Sequence, residues 1–184
     1  MNEKVGGVHA DLLNSSVKLP PPRELLKKGL SAALYLAAFF VVAAIINAFQ
    51  SPDTQAMPPV TSLELATLTG EKAELKTATG KKTIVYFFAP WCTVCKASMD
   101  ALNFFDGSSR VQAVAVGLDY DNVADLKPFQ SGQRATVYAG SRDLQHKFKI
   151  DRYPTVYILD GNGKISHVMV GYTSRFGIWI RTII

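Results

Sequence analysis

At 184 residues, with 48% apolar and 19% charged side chains, the chain accommodates one ordinary globular domain and an extra apolar element, and excludes a second independent core. Its formal net charge of +5 is scattered, with no arginine- and lysine-rich stripe interleaved with aromatics, which excludes a nucleic-acid-binding surface. The only two cysteines are close neighbours, which excludes a scaffold of structural disulfides and leaves a reactive or metal-binding pair.

Residues 1–28 show little periodicity and contain Pro20-Pro21-Pro22; they are predicted to form a tail. From Gly29 to Pro52 no side chain is charged. Residues 29–50 are therefore predicted to span a membrane, because about 20 apolar residues at about 1.5 Å each cross a hydrocarbon core of about 30 Å. A cleaved signal peptide and a buried core helix are the alternatives. The first normally has a shorter apolar run near the terminus, and Ile46-Asn47-Ala48 is a poor cleavage site. Arg23, Lys27 and Lys28 stand directly before the run, so the positive-inside tendency makes the tail cytoplasmic and everything after Pro52 extracytoplasmic. In a bacterium this is a single pass of the inner membrane, with the lipid bilayer as partner of 29–50 and the domain in the periplasm or cell exterior. Residues 51–59, with Pro58-Pro59, read as a linker.

The folded domain is predicted over 60–184. Thr67 to Thr79 forms a short hairpin or irregular extension turning at Gly70 and Gly80. Thr83 to Phe88 is rich in β-branched and aromatic residues without a polar face, the pattern of a strand buried on both sides. A helix follows from Thr93 to Phe105, burying Val94, Met99, Leu102 and Phe105. Next come a strand over Val111–Val116, a short helix over Val123–Phe129, a strand over Arg134–Tyr138, a helix over Arg142–Phe148 and a strand over Thr155–Leu159. Asp160-Gly161-Asn162-Gly163 is a turn signal that returns Lys164–Val170 antiparallel. A terminal helix over Ser174–Ile183 is predicted to cover one sheet face with Phe176, Ile180 and Ile183; Tyr172 and Trp179 receive only a structural reading. The alternation gives an α/β fold, a mixed sheet flanked by helices and preceded by a single transmembrane helix.

The chemistry lies in Phe88-Ala89-Pro90-Trp91-Cys92-Thr93-Val94-Cys95-Lys96. A strand delivers the chain to a turn, and Cys92 falls at the start of a helix, where unpaired N–H groups and the helix dipole favour a thiolate. Cys92 is the expected nucleophile. Cys95, three residues on and deeper in the helix, is the expected resolving sulfur. The same pair could instead hold a soft metal such as copper. Zinc would need two further ligands, while His9 lies across the membrane and His146 and His167 are isolated. Lys96 stands where a c-type haem attachment would require histidine. No cofactor is expected. Lys96 is either solvated surface or an electrostatic partner of the thiolate. Arg152-Tyr153-Pro154-Thr155 precedes an apolar strand. In isolation this is an ordinary trans turn; together with the cysteine motif, a cis Tyr153–Pro154 bond would expose backbone groups that pair with an extended substrate.

The run from Ile84 to Lys96, followed by Tyr153-Pro154-Thr155 and Asp160 to Ile165, resembles the thioredoxin superfamily over roughly 60–184. The anchor and the segments around the motif are similar to the membrane-tethered bacterial thioredoxins of the cytochrome-maturation type, and more closely to the copper-sensitivity suppressor branch. That resemblance implies a protein thiol–disulfide oxidoreductase with Cys92, Cys95 and the cis-proline Pro154 as catalytic residues. Trp91, with Tyr153 and Thr155, would line the substrate surface. It implies extracytoplasmic thiol and disulfide proteins as substrates, a membrane disulfide reductase as electron donor and a role in copper tolerance. Tyr86 departs from the family pattern, in which an acidic residue or asparagine stands at this buried position, and is either core packing or part of the proton path of Cys95. A disulfide donor acting in the opposite direction, a copper-delivery protein and a non-catalytic binding module remain the alternatives.

Overall fold

A computed structural model of the chain describes residues 22–50, 57–77 and 79–183. The tail over 1–21, most of the linker (51–56), and His9 with them, lie outside the described residues. The chain divides into two compact units that part between Ile45 and Ile46.

The first unit is dominated by helix α1 (Pro22–Gln50), which begins at Pro22 and so takes in Lys27 and Lys28 ahead of the apolar run. Proline suits a first helical turn, where its missing N–H would have had no partner. Leu30, Leu34, Tyr35, Phe39, Phe40 and Val41 are all exposed. Leu26–Ala43 is long and apolar enough to cross a membrane.

The second unit is built on a seven-stranded sheet in the order β2-β1-β5-β4-β3-β6-β7. Its strands are β1 (Ser62–Ala66), β2 (Lys72–Lys76), β3 (Lys82–Phe88), β4 (Val111–Gly117), β5 (Thr136–Ala139), β6 (Thr155–Leu159) and β7 (Ile165–Val170). β4 runs parallel to β3 and β5, while β6 is antiparallel to β3 and β7, giving the mixed sheet expected from the sequence. Helices α2 (Thr93–Ser98, continued as a 3₁₀ segment through Phe105), α3 (Lys127–Gln130), α4 (Arg142–Lys147) and α5 (Arg175–Ile183) flank it.

β3 shows why the core sits where it does. Ile84, Tyr86 and Phe88 point to one face and pack with Cys95, Met99, Leu102, Phe105 and Ile178. Val85 and Phe87 point to the other and pack with Leu144, Phe148 and Tyr157. Side chains alternate across a strand, so a run without polar residues is stable only where both faces are covered. On the second face the Phe87, Phe148 and Tyr157 rings meet pairwise at centroid distances of 5.1–5.8 Å, two of the three contacts edge to face.

Three expectations are corrected. The N-terminal hairpin begins at Ser62, not Thr67, and turns at Gly70. Val94 is 46% exposed: Cys95 and Ser98 hold the inner face of α2, and Val94 is rotated about 100° from Cys95 on a helix of 3.6 residues per turn. In α5 the fully buried side chain is Ile178, while Phe176 and Ile183 face solvent.

Candidate active site

β3 ends at Phe88, and the chain turns through Ala89, Pro90 and Trp91, with the Cys92 N–H donating to the Ala89 carbonyl at 3.1 Å. Cys92 has extended backbone angles and caps α2, its Sγ accepting the Cys95 N–H at 3.1 Å. A helix start leaves N–H groups without intrahelical partners, and one of these is directed onto the sulfur. Cys92 retains 6% exposure and Cys95 none, the asymmetry expected of an outer and an inner sulfur. The two are joined as a disulfide with Cα atoms 5.3 Å apart.

Beneath the pair lies Tyr86, fully buried on β3. Its hydroxyl donates to the Cys95 carbonyl at 3.2 Å and lies 2.7 Å from Ser98 Oγ, which donates to the Val94 carbonyl at 2.9 Å. Burial pushes the Tyr86 hydroxyl well above its ordinary range, with the Ser98 hydrogen bond opposing. Tyr86 thus stays neutral and ties the first turns of α2 to the central strand.

Above the pair, Trp91 is 64% exposed and donates its indole N–H to the Asp119 carboxylate at 3.2 Å. The Tyr153 ring meets the Trp91 ring edge to face at 5.5 Å. Asp119 follows β4 with φ of 51°, a left-handed conformation that aspartate tolerates better than most residues. The Tyr153 hydroxyl is buried without a hydrogen-bond partner among the described residues. Burial, and then the Asp119 charge, raise its pKa.

The Tyr153–Pro154 peptide bond is cis and leads into β6. Pro154 is buried, and its carbonyl accepts the Gly171 N–H at 2.8 Å. Thr155 departs from the expected surface position. It is 2% exposed, its backbone is paired between Phe87 and Val170, and its hydroxyl donates to the Arg152 carbonyl at 2.8 Å. A strand residue flanked on both sides by neighbours has no free edge to offer.

The structure therefore gathers Cys92, Cys95 and Tyr153 in one apolar cluster with Trp91 on its rim, and adds Asp119 and Ser98, which the sequence reading missed. Neither carries a local signal: each acquires its role from a contact across elements. Lys96 lies 5.5 Å over the Phe129 ring, a cation–π contact directed at the aromatic. No group of three or more His, Cys, Asp or Glu side chains that could hold a metal occurs among the described residues.

A thioredoxin-like sheet whose central strand delivers a Cys-x-x-Cys pair to the start of a helix, with a cis-proline opening the adjacent strand, defines a thiol–disulfide oxidoreductase. The chain belongs to the AhpC/TSA family, whose model matches residues 55–168. It is 30% identical over 122 residues to the thioredoxin-like protein YneN of Bacillus subtilis, covering 60% of this chain and 69% of that protein. It is 26% identical over 146 residues to the sporulation thiol-disulfide oxidoreductase A of the same organism, covering 75% and 87%. The crystal structure of StoA from Bacillus subtilis superposes with a TM-score of 0.57 at 24% identity, covering 68% of this chain and 99% of that one, a likeness of fold.

Proposed function

We propose that the chain is a membrane-anchored reductase of disulfides in extracytoplasmic proteins. Residues 1–28 are the cytoplasmic tail, 29–50 the anchor, 51–59 the tether and 60–184 the catalytic domain on the outer face of a bacterial inner membrane. The Cys92 thiolate attacks a substrate disulfide, forming a mixed disulfide and releasing one substrate thiolate. Cys95, once deprotonated, attacks Cys92 Sγ, so that the Cys92–Cys95 disulfide forms and the second substrate sulfur leaves as a thiolate. Two electrons pass to the substrate, and a membrane dithiol donor returns them. The second step is intramolecular and gains from the short separation of the two sulfurs. Trp91 and Tyr153 border the substrate, and Pro154 shapes the backbone beside it.

The observation that carries the direction of transfer is the setting of Cys92 Sγ. The Lys96 ammonium lies over Phe129 and the Asp119 carboxylate stands at Trp91, which support weak stabilisation of a Cys92 thiolate against the single opposing contact described, the Cys95 N–H on Cys92 Sγ. A site that strongly stabilises its thiolate makes the reduced form favourable and so oxidises its partners; a weakly stabilised thiolate favours the reducing direction. The test is the steady-state redox form of the full chain in its native membrane, read by maleimide mass-tagging after acid quenching. Tagging of both cysteines is the expected result. A chain held as the disulfide in cells with an intact donor would overturn the reductase reading in favour of a disulfide donor.

A further inference from the structure

α5 has two apolar faces, and the domain covers only one. Ile178 is fully buried, whereas Phe176, Trp179 and Ile183 are 65%, 41% and 58% exposed. At about 100° per residue these three fall within about 60° of one another, turned by about 100–160° from Ile178. The Phe176 and Trp179 ring centroids lie 5.8 Å apart with planes tilted by 32°, and Tyr172, just ahead of the helix, is 68% exposed. The result is a band of exposed aromatic and branched aliphatic side chains along the outer side of the helix.

The last stretch of the chain carries charge of one sign. After Asp160 the sequence contains no acidic side chain, while Lys164, Arg175 and Arg181 follow. Arg181 is anchored on the helix, its guanidinium donating to the Gly177 carbonyl at 3.0 Å. His167 on β7 is held below its ordinary pKa by burial and by the charges of Arg181 and Lys82; α5 and β7 carry no carboxylate of their own, and Asp100 stands on the 3₁₀ segment packed against α5. The third fact is the tether: about ten residues separate the end of α1 at Gln50 from the start of β1, and a chain reaches at most about 3.5 Å per residue. A domain on so short a leash meets the bilayer surface continually if α1 is inserted.

We propose that the Tyr172–Phe176–Trp179–Ile183 face of α5 docks into the headgroup region of an anionic lipid bilayer. The chemistry fits: tryptophan and tyrosine favour the interface, isoleucine and phenylalanine reach into the acyl boundary, and Arg175, about 40° from Trp179 around the helix, meets lipid phosphates. Docking at a second point restricts how the domain rotates about its tether and fixes which surfaces face a membrane-embedded donor. This inference rests on the anchored reading of α1, and the experiment separates the two.

The chain contains two tryptophans, so in the full-length Trp91→Phe variant Trp179 is the sole fluorophore. The variant is reconstituted into phosphatidylglycerol vesicles with and without brominated acyl chains, and into phosphatidylcholine vesicles as the uncharged comparison. Roughly twofold or greater quenching of Trp179 by brominated anionic lipid, weakened in the uncharged vesicles and by high salt, is the expected result. The Trp179→Phe variant, reporting Trp91, serves as the domain-position reference and should be quenched less. Equal Trp179 emission in brominated and plain lipid, from protein that resists an alkaline carbonate wash, overturns docking while leaving the anchor standing. Quenching of protein that washes off supports docking and removes the anchor. Shielding of Trp179 from aqueous iodide but not from bromine, with a dimer in detergent, identifies a second copy as the occupant and overturns the lipid proposal.

Discussion

The indole N–H of Trp91 reaches the Asp119 carboxylate at 3.2 Å across 28 residues of sequence, fixing the residue ahead of the first cysteine to the loop after β4. An exposed hydrogen bond to a charged group adds little to global stability, about 1 kcal/mol or less. Its consequence is local. Asp119→Asn keeps a residue that tolerates the left-handed conformation and removes the charge, so stability should change little while the orientation of Trp91 loosens. We expect a severalfold fall in kcat/KM with a protein disulfide substrate and a changed Trp91 emission spectrum, measured with Trp179 replaced by phenylalanine.

Separating the two sulfurs by mutation should separate the two chemical steps. Cys95→Ala leaves Cys92 able to attack but removes its escape route, so mixed disulfides with substrate proteins should accumulate and vanish on adding reductant. Cys92→Ala should form none. Non-reducing gels of membranes carrying each variant check this, and equal trapping by both variants would contradict the assignment.

Tyr86→Phe removes the hydroxyl shared by the Cys95 carbonyl and Ser98, leaving Ser98 its bond to the Val94 carbonyl. The Cys95 carbonyl keeps the Met99 N–H, so the loss is that of a net hydrogen bond, about 0.5–1.5 kcal/mol. We expect urea unfolding to report a loss in that range. Turnover should be reduced through the positioning of α2, with no displacement of the pH optimum. A large displacement would show that the hydroxyl handles the Cys95 proton.

Three buried hydroxyls predict the alkaline limit of the domain. Burial raises the pKa of Tyr86, Tyr153 and Tyr157 above the ordinary tyrosine value, assisted at Tyr153 by Asp119 and at Tyr157 by Asp151. Above about pH 10 the unfolded chain loses these protons while the folded chain keeps them, so the unfolded state binds fewer protons and stability falls as pH rises. The contribution is fully present below that pH. Denaturation midpoints between pH 8 and 11 should decline from about pH 10, and Tyr157→Phe should flatten the decline.

Gly163 has φ of 81°, and a Cβ there would stand 2.1 Å from the Val60 carbonyl oxygen. The same site receives the Val60 N–H at 2.8 Å on its own carbonyl. Gly163→Ala therefore meets both backbone strain and a clash with main chain that cannot swing aside, and should cost upwards of about 2 kcal/mol in thermal or urea unfolding.

Much of the fold was legible because its strands are local statements. The run from Thr83 to Phe88 has no polar face and must be central; Thr155–Leu159 and its glycine-rich turn announce a hairpin. The cysteine pair was legible for the same reason, since strand, turn and helix start are contiguous in sequence. The Trp91–Asp119 pair was not, because only the sheet order brings the loops after β3 and β4 together, and the Tyr86–Ser98 pair was not, because it depends on the face that α2 turns towards β3. α5 was misread in rotation: Phe176, Trp179, Ile180 and Ile183 share one side of the helix, which periodicity marks as the core side, whereas the domain buries Ile178 outside that arc. Thr155 was misplaced because the cis-proline motif implied a rim position, whereas the strand begins at once and buries it.

The central claim is the direction of electron flow, and the equilibrium reduction potential of Cys92–Cys95 tests it most directly. It is measured on the full chain in detergent against defined glutathione buffers. A value below about −220 mV is predicted, low enough to reduce substrate disulfides when fed by a membrane dithiol. A value above about −150 mV would contradict the account and mark a donor of disulfides built on the same residues.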